Sequence, residues 1–225
     1  MLGREEIGRL LGACLPRYRP LLATALYSGL WISELLGPVW DDVDFAAGVI
    51  RVRAQLSRAH RGVPARRVAP KTPAAIRDVP LVAQLAEVLR EHRRGSAFNA
   101  GSDCVFSTGR GTPLGHRNME RRALQRAARC AGLDGDGRPL GFHDLRHTFA
   151  SHLIVDLHLD PAQVSRILGH ARVTITLDVY THLFDEARHV TEIRAQMAQS
   201  AFAQLLETGP AHGQKLVALP GGRAT

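Results

Sequence analysis

Between residues 49 and 81 the chain breaks its pattern. Three short segments, residues 49–53, 63–69 and 76–81, carry strand character and are separated by Gly, Pro and Thr, while the flanking sequence repeats its apolar residues at helical spacing. A three-stranded antiparallel sheet is the natural reading, with Lys71-Thr72-Pro73 in its second turn. The fold class expected is therefore α+β: a mainly α-helical domain with a small three-stranded antiparallel sheet.

The helical part begins with Ile7, Leu10 and Leu11 in a first helix over 4–14 and continues with a well-buried second helix over 21–27, ended by Gly29. Residues 32–36 begin a short helix stopped by Gly37-Pro38. Further on, 82–94 and an arginine-rich 118–130 return to helical spacing, and 143–157, 161–168 and 174–183 read as three consecutive helices. Val190, Ile193, Met197, Ala201 and Leu205 form an apolar stripe on a last helix over 185–207, and 208–225 is a Gly/Pro-containing tail expected to be mobile. At 225 residues the chain is long enough to bury a sizeable core, and residues 1–207 are read as one domain.

The net charge of +8 favours a polyanionic partner. Nucleic acid is preferred over membrane, because no apolar stretch is long enough to span a bilayer. Lys71 and Lys215 are the only lysines, so almost every positive charge is an arginine, which grips phosphate through a bidentate fork. Cys14, Cys104 and Cys130 are odd in number and widely separated, which argues for a reducing cytosol and against a disulfide framework or structural zinc. The first residues carry two acids and no apolar core of a signal peptide, so a cytoplasmic protein is expected.

The chemistry concentrates in the last third, which reads Gly-Phe-His143-Asp-Leu-Arg146-His147, then Leu168-Gly169-His170, then Val179-Tyr180-Thr181-His182. These are the parts needed to break a phosphodiester without metal. Tyrosine supplies an oxygen nucleophile, arginine neutralises charge on the non-bridging oxygens, and imidazoles move protons or donate hydrogen bonds. His143 and Arg146 project from one side of a helix near its N-terminal end, where unpaired N–H groups also favour an anion.

The order and spacing of these boxes resemble the catalytic domain of the tyrosine recombinases, the phage integrase family, over about residues 7–184. The resemblance implies that family's DNA breaking-rejoining fold and site-specific DNA strand cleavage and rejoining, with no cofactor. Tyr180 would be the nucleophile, forming a 3′-phosphotyrosyl link and releasing a 5′-hydroxyl. Arg146 would clamp the phosphate, His170 would bond it, and His143 would assist proton transfer. Lys71, in a stretch similar to the family's hairpin box of Lys-Thr followed by Arg-x-Val-Pro-Leu, would be the general acid to the leaving oxygen, and Glu34 would support the site from behind.

One box departs from the pattern. Gly29-Leu30-Trp31-Ile32-Ser33-Glu34-Leu35 looks like the family's Gly-x-Arg-x-x-Glu-Leu, yet the first of its two phosphate-clamping arginines is replaced by Trp31. An indole has one N–H donor and no charge, so impaired cleavage is expected. The chain also starts almost directly at the catalytic domain, without the helical domain that commonly precedes it and completes a clamp around the duplex, so it is expected either to work with half a clamp or to be a fragment of a longer integrase. The implied partners are duplex DNA and further copies of the chain assembled on a recombination site. A catalytically inactive DNA-binding remnant of an integrase is the alternative. A helix-turn-helix regulator starting near Asp160 ranks below both, since it leaves Lys71, His143, Arg146 and Tyr180 without a role.

Overall fold

The structure is a computed structural model that describes residues 1–60, 62–134 and 139–187. The helix expected over 185–207, beyond its first three residues, and the tail over 208–225 lie outside the described residues. Residues Met1–Phe184 form one unit.

The chain opens with helices α1 (Arg4–Ala13), α2 (Arg19–Ser28) and the single turn α3 (Ile32–Leu35). Pro20 starts α2, where its missing N–H costs nothing, and Gly29 ends it in the left-handed conformation at φ 60°. A β-carbon at Gly29 would come within 2.3 Å of Phe149, so both its backbone angle and the packing against the later helices require glycine. Strands β1 (Val43–Asp44), β2 (Val49–Val52), β3 (Gln55–Leu56), β4 (Arg67–Val68) and β5 (Arg77–Pro80) follow.

The three-stranded antiparallel sheet is present, with different membership. Its order is β1-β2-β5, with Ile50 opposite both Val43 and Val79, and the alternate residues Ile50, Val52 and Val79 enter the core. The segment expected as its middle strand, 63–69, contributes only β4, which pairs with β3 in a separate two-stranded ladder. Lys71 precedes β5 as expected. The third member, β1, is a two-residue strand, too short to show any period in sequence.

Helix α4 (Ala83–Arg94) buries Leu85, Ala86 and Leu89. The arginine-rich segment is helical but not uniformly so: α5 (His116–Asn118) passes into a π-helical stretch, Met119–Gln125, and then α6 (Arg126–Cys130). It buries Met119, Ala123, Leu124, Ala127 and Ala128 and turns Arg117, Arg121, Arg122, Arg126 and Arg129 to solvent. The last third folds as α7 (Phe142–Val155), α8 (Pro161–Leu168) and α9 (Val173–Ala187). The Asp160 carboxylate caps α8 through the N–H groups of Ala162 and Gln163, and Gly169 ends it at φ 73°.

Two apolar clusters result. The larger runs from Leu10 through Trp40, the sheet and α4 to Leu145; the smaller joins Phe149, Leu153, Val164, Leu168, Tyr180, Leu183 and Phe184. Helix α7 contributes to both, and Arg146 sits on it at the seam.

Candidate active site

Arg146 is 2% exposed, and a guanidinium that cannot shed its charge must find acceptors when buried. It finds them on the main chain: Nη1 donates to the carbonyl of Gly29 at 2.6 Å and Nη2 to that of Leu168 at 2.8 Å. Both lie at helix C-termini, where carbonyls lack partners within the helix and carry the negative end of its dipole. Burial lowers its pKa to about 10, opposed by Glu34 and assisted by Arg77. It stays charged at neutral pH.

Glu34 and Arg77 form a buried bidentate pair, with both Nη···Oε distances 2.9 Å. Arg77 also donates through Nε to the carbonyl of Ile167 at 2.8 Å, tying β5 to α8. Gly169 makes room for this, since a β-carbon there would stand 2.6 Å from the Arg77 guanidinium. The second Glu34 oxygen accepts the backbone N–H of Trp31 at 3.1 Å, so one carboxylate anchors both Arg77 and the start of α3.

Tyr180 is 4% exposed and its ring packs in the smaller cluster, while its hydroxyl meets Nδ1 of His147 at 2.8 Å. Nε2 of His147 in turn lies 2.7 Å from Nε2 of His143. Burial pushes the Tyr180 phenol up to about 12, against the pull of Arg146, and pushes His147 below the usual imidazole value, aided by His143 and Arg146. His170 pairs through Nδ1 with the hydroxyl of Thr176 at 2.8 Å, and burial, with the charges of Arg146 and Arg77, brings it down to about 4. It is neutral at pH 7 and can offer one N–H.

Trp31 is drawn into the same constellation. Its ring stacks on His143 with centroids 5.1 Å apart and planes 14° from parallel, and it lies under the Arg146 guanidinium carbon at 4.4 Å. An aromatic face therefore covers the arginine at the position where the sequence pattern leads one to expect a second cation. Arg17 and Arg19, near in sequence, do not take that place: Arg17 lies over the Tyr18 ring, and the charge of Arg19 faces Cys14.

Of the residues singled out in sequence, Glu34, Trp31, His143, Arg146, His170 and Tyr180 thus converge. Lys71 is exposed in the turn before β5 and, among the described residues, makes no hydrogen bond or ion pair. Two members of the cluster were not singled out. Arg77 stands within the hairpin box, but nothing in sequence pairs it with Glu34, 43 residues earlier. His147 directly follows Arg146, and its spacing from Tyr180 carried no signal.

Elsewhere on the surface the arginines fall into two groups. Arg51, Arg53 and Arg67 are engaged by Asp44, Asp78 and Asp42, whereas Arg117, Arg121, Arg122, Arg126 and Arg129 form no ion pair among the described residues. No helix among those residues is long and apolar enough to cross a membrane.

Residues 1–187 match the phage integrase family. A tyrosine recombinase XerC of Azotobacter vinelandii is 34% identical over 167 residues, covering 74% of this chain and 48% of the relative. A XerC-like tyrosine recombinase of Caldanaerobacter subterraneus subsp. tengcongensis is 30% identical over 194 residues, covering 76% and 47%. The chain thus spans about half the length of these relatives. Among solved structures, the Tn1549 transposon integrase in complex with circular intermediate DNA superposes with a TM-score of 0.72 at 23% identity, over 88% of this chain and 66% of that one. XerA recombinase gives 0.63 at 24% identity, over 88% and 64%. The fold is that of a tyrosine recombinase catalytic domain.

Proposed function

The chain belongs to the phage integrase family, and from that premise we propose that it carries the strand-cleaving centre of a site-specific DNA recombinase. The observation that carries this reading is the placement of the Tyr180 hydroxyl: it is the one polar end of a buried ring, and it points into a cluster of His147, His143 and Arg146. A core tyrosine needs a single hydrogen-bond partner; here that partner, His147, contacts a second histidine, and the charge of Arg146 acts on the same oxygen.

In this reading the Tyr180 oxygen attacks the scissile phosphorus, the bond to the 5′-oxygen breaks, and a 3′-phosphotyrosyl link holds the strand until a 5′-hydroxyl reverses the step. Through the N–H groups that Gly29 and Leu168 leave unused, Arg146 meets the non-bridging oxygens with charge-assisted hydrogen bonds, supported from behind by the Arg77–Glu34 pair, and His170 adds an N–H. Lys71, exposed in its turn, reaches the leaving oxygen as general acid when DNA is bound. The outward arginines on 116–130 track phosphates, and further copies of the chain assemble on the site, in the cytoplasm where the DNA lies.

A nicked suicide duplex built from the flanks of the element that encodes the chain tests this. An SDS-stable adduct that disappears in Tyr180→Phe supports it. A second reading, a DNA-binding remnant, is favoured by Trp31 lying across Arg146; duplex binding with no adduct at any pH would select it.

A further inference from the structure

Tyr180 must lose its proton to become a nucleophile, yet burial holds that proton more tightly than in water. The base has to be within hydrogen-bond reach of the hydroxyl. Arg146 cannot accept a proton, Lys71 is exposed in its turn, and His170 is occupied at Nδ1 by Thr176. The ring that touches the hydroxyl is His147, at 2.8 Å.

We propose, on the premise of the strand-cleavage reading, that His147 is the catalytic residue that takes the Tyr180 proton, with His143 fixing its tautomer through the Nε2···Nε2 contact. A phenol is a better donor than acceptor, so Tyr180 donates to an unprotonated Nδ1. The Nε2–H of the neutral ring then donates to Nε2 of His143 at 2.7 Å, and the three groups form one directional chain. As the oxygen–phosphorus bond forms and the bond to the 5′-oxygen breaks, the O–H proton moves to Nδ1. The leaving oxygen takes its own proton from the separate general acid. His147 becomes an imidazolium whose Nε2–H remains on His143, itself stacked against Trp31.

The charged and titratable groups facing His147 are His143, Asp144 and Arg146 from α7, Tyr180 from α9, His170 after α8, and the amino group at Met1. Asp144 alone among them favours the protonated ring; burial and the cations keep it neutral and ready to accept.

Two measurements test the assignment. Adduct formation is followed against pH on a suicide duplex whose scissile 5′-oxygen is replaced by sulfur, so that the leaving group needs no acid, in the parent and in His147→Gln. The parent rate should rise with pH below the ordinary imidazole value and level by neutrality. His147→Gln should be slower by roughly two orders of magnitude or more at pH 7, should lack that limb, and should climb steadily at alkaline pH as the phenol ionises unaided. A loss of the same factor at every pH, or a rate within threefold of the parent at pH 7, overturns the proposal. Nitrogen-15 imidazole shifts of the DNA-free protein give the second readout. They should report Nδ1 of His147 unprotonated and Nε2 protonated, with Tyr180→Phe perturbing Nδ1. The opposite tautomer overturns the proposal even if no adduct forms in any variant, a result that would separately overturn the strand-cleavage reading.

Discussion

Replacing Trp31 by arginine sets stability against rate. In the unliganded chain the indole makes two contacts, one with the Arg146 guanidinium at 4.4 Å and one with the His143 ring at 5.1 Å. The first is worth about 1 to 2 kcal/mol in a partly desolvated setting, and the aromatic stack adds about 0.5 to 1.5 kcal/mol. Trp31→Arg deletes both and brings a third guanidinium beside Arg146 and Arg77, with Glu34 already engaged. Position 31 is 41% exposed, so solvent screens part of that repulsion. We predict a loss of about 1 to 3 kcal/mol in unfolding free energy without DNA. With phosphate in place the sign reverses. A donor to a developing oxyanion is typically worth about 3 kcal/mol, so single-turnover adduct formation on the suicide duplex should accelerate by roughly two orders of magnitude. Trp31→Gln is the control, since it deletes the aromatic contacts without adding charge and should lose stability with no gain in rate. Equal adduct rates in the parent and Trp31→Arg, both well above background, would refute the reasoning by showing that another cation already supplies the charge. Both inert while bound to a verified site would show that a missing cation is not what limits the chain.

Glu34→Ala should cost about 3 to 5 kcal/mol by urea unfolding, because it leaves the Arg77 guanidinium buried without its carboxylate. Stability should also fall with acidification. His170 titrates at about 4 in the folded chain against 6.5 as its ordinary value, and His147 is shifted the same way, so the unfolded state binds more protons between those limits. Melting temperature should therefore drop as pH falls through that window, and His170→Gln should flatten the slope; a parent curve flat from pH 7 to 4 would contradict it. Duplex affinity should fall steeply as salt rises, and removing Arg121 and Arg126 together should make the log–log slope shallower by about 2. Affinity insensitive to salt would exclude a phosphate-tracking role for that face.

The helices of the last third were legible because several signals coincide: a 3.6-residue apolar period, Asp160-Pro161 at the start of α8 and Gly169 at its end. The sheet was legible as a sheet but not in its order. A strand of two residues such as β1 has no period to detect, and 63–69, bounded by turn residues with Val63 and Val68 near its ends, reads as one strand while only Arg67–Val68 join a ladder and Val63 makes an isolated bridge with His60. Tyr27 was expected in a buried helix and is 45% exposed, because α2 turns that edge away from the core. Within the site, sequence order singled out His143 and Arg146 on α7, His170 after α8 and Tyr180 on α9, which the fold brings together. It could not identify Arg77, whose long side chain crosses from β5 to Glu34 and Ile167, or the two faces that Trp31 covers. Those depend on how distant backbones approach, and spacing along one helix holds no record of it.

The grip on Arg146 ties the site to the closure of the whole fold. Its two carbonyl acceptors belong to the end of α2 and the end of α8, elements that come together only when the last third of the chain has closed onto the first. A nascent or partly melted chain has the tyrosine and the arginine but not their relative placement, since neither is held by its own helix alone. On the strand-cleavage reading proposed above, the capacity to nick DNA would appear in the same step as native closure, and folding itself would act as a licence against stray strand breaks.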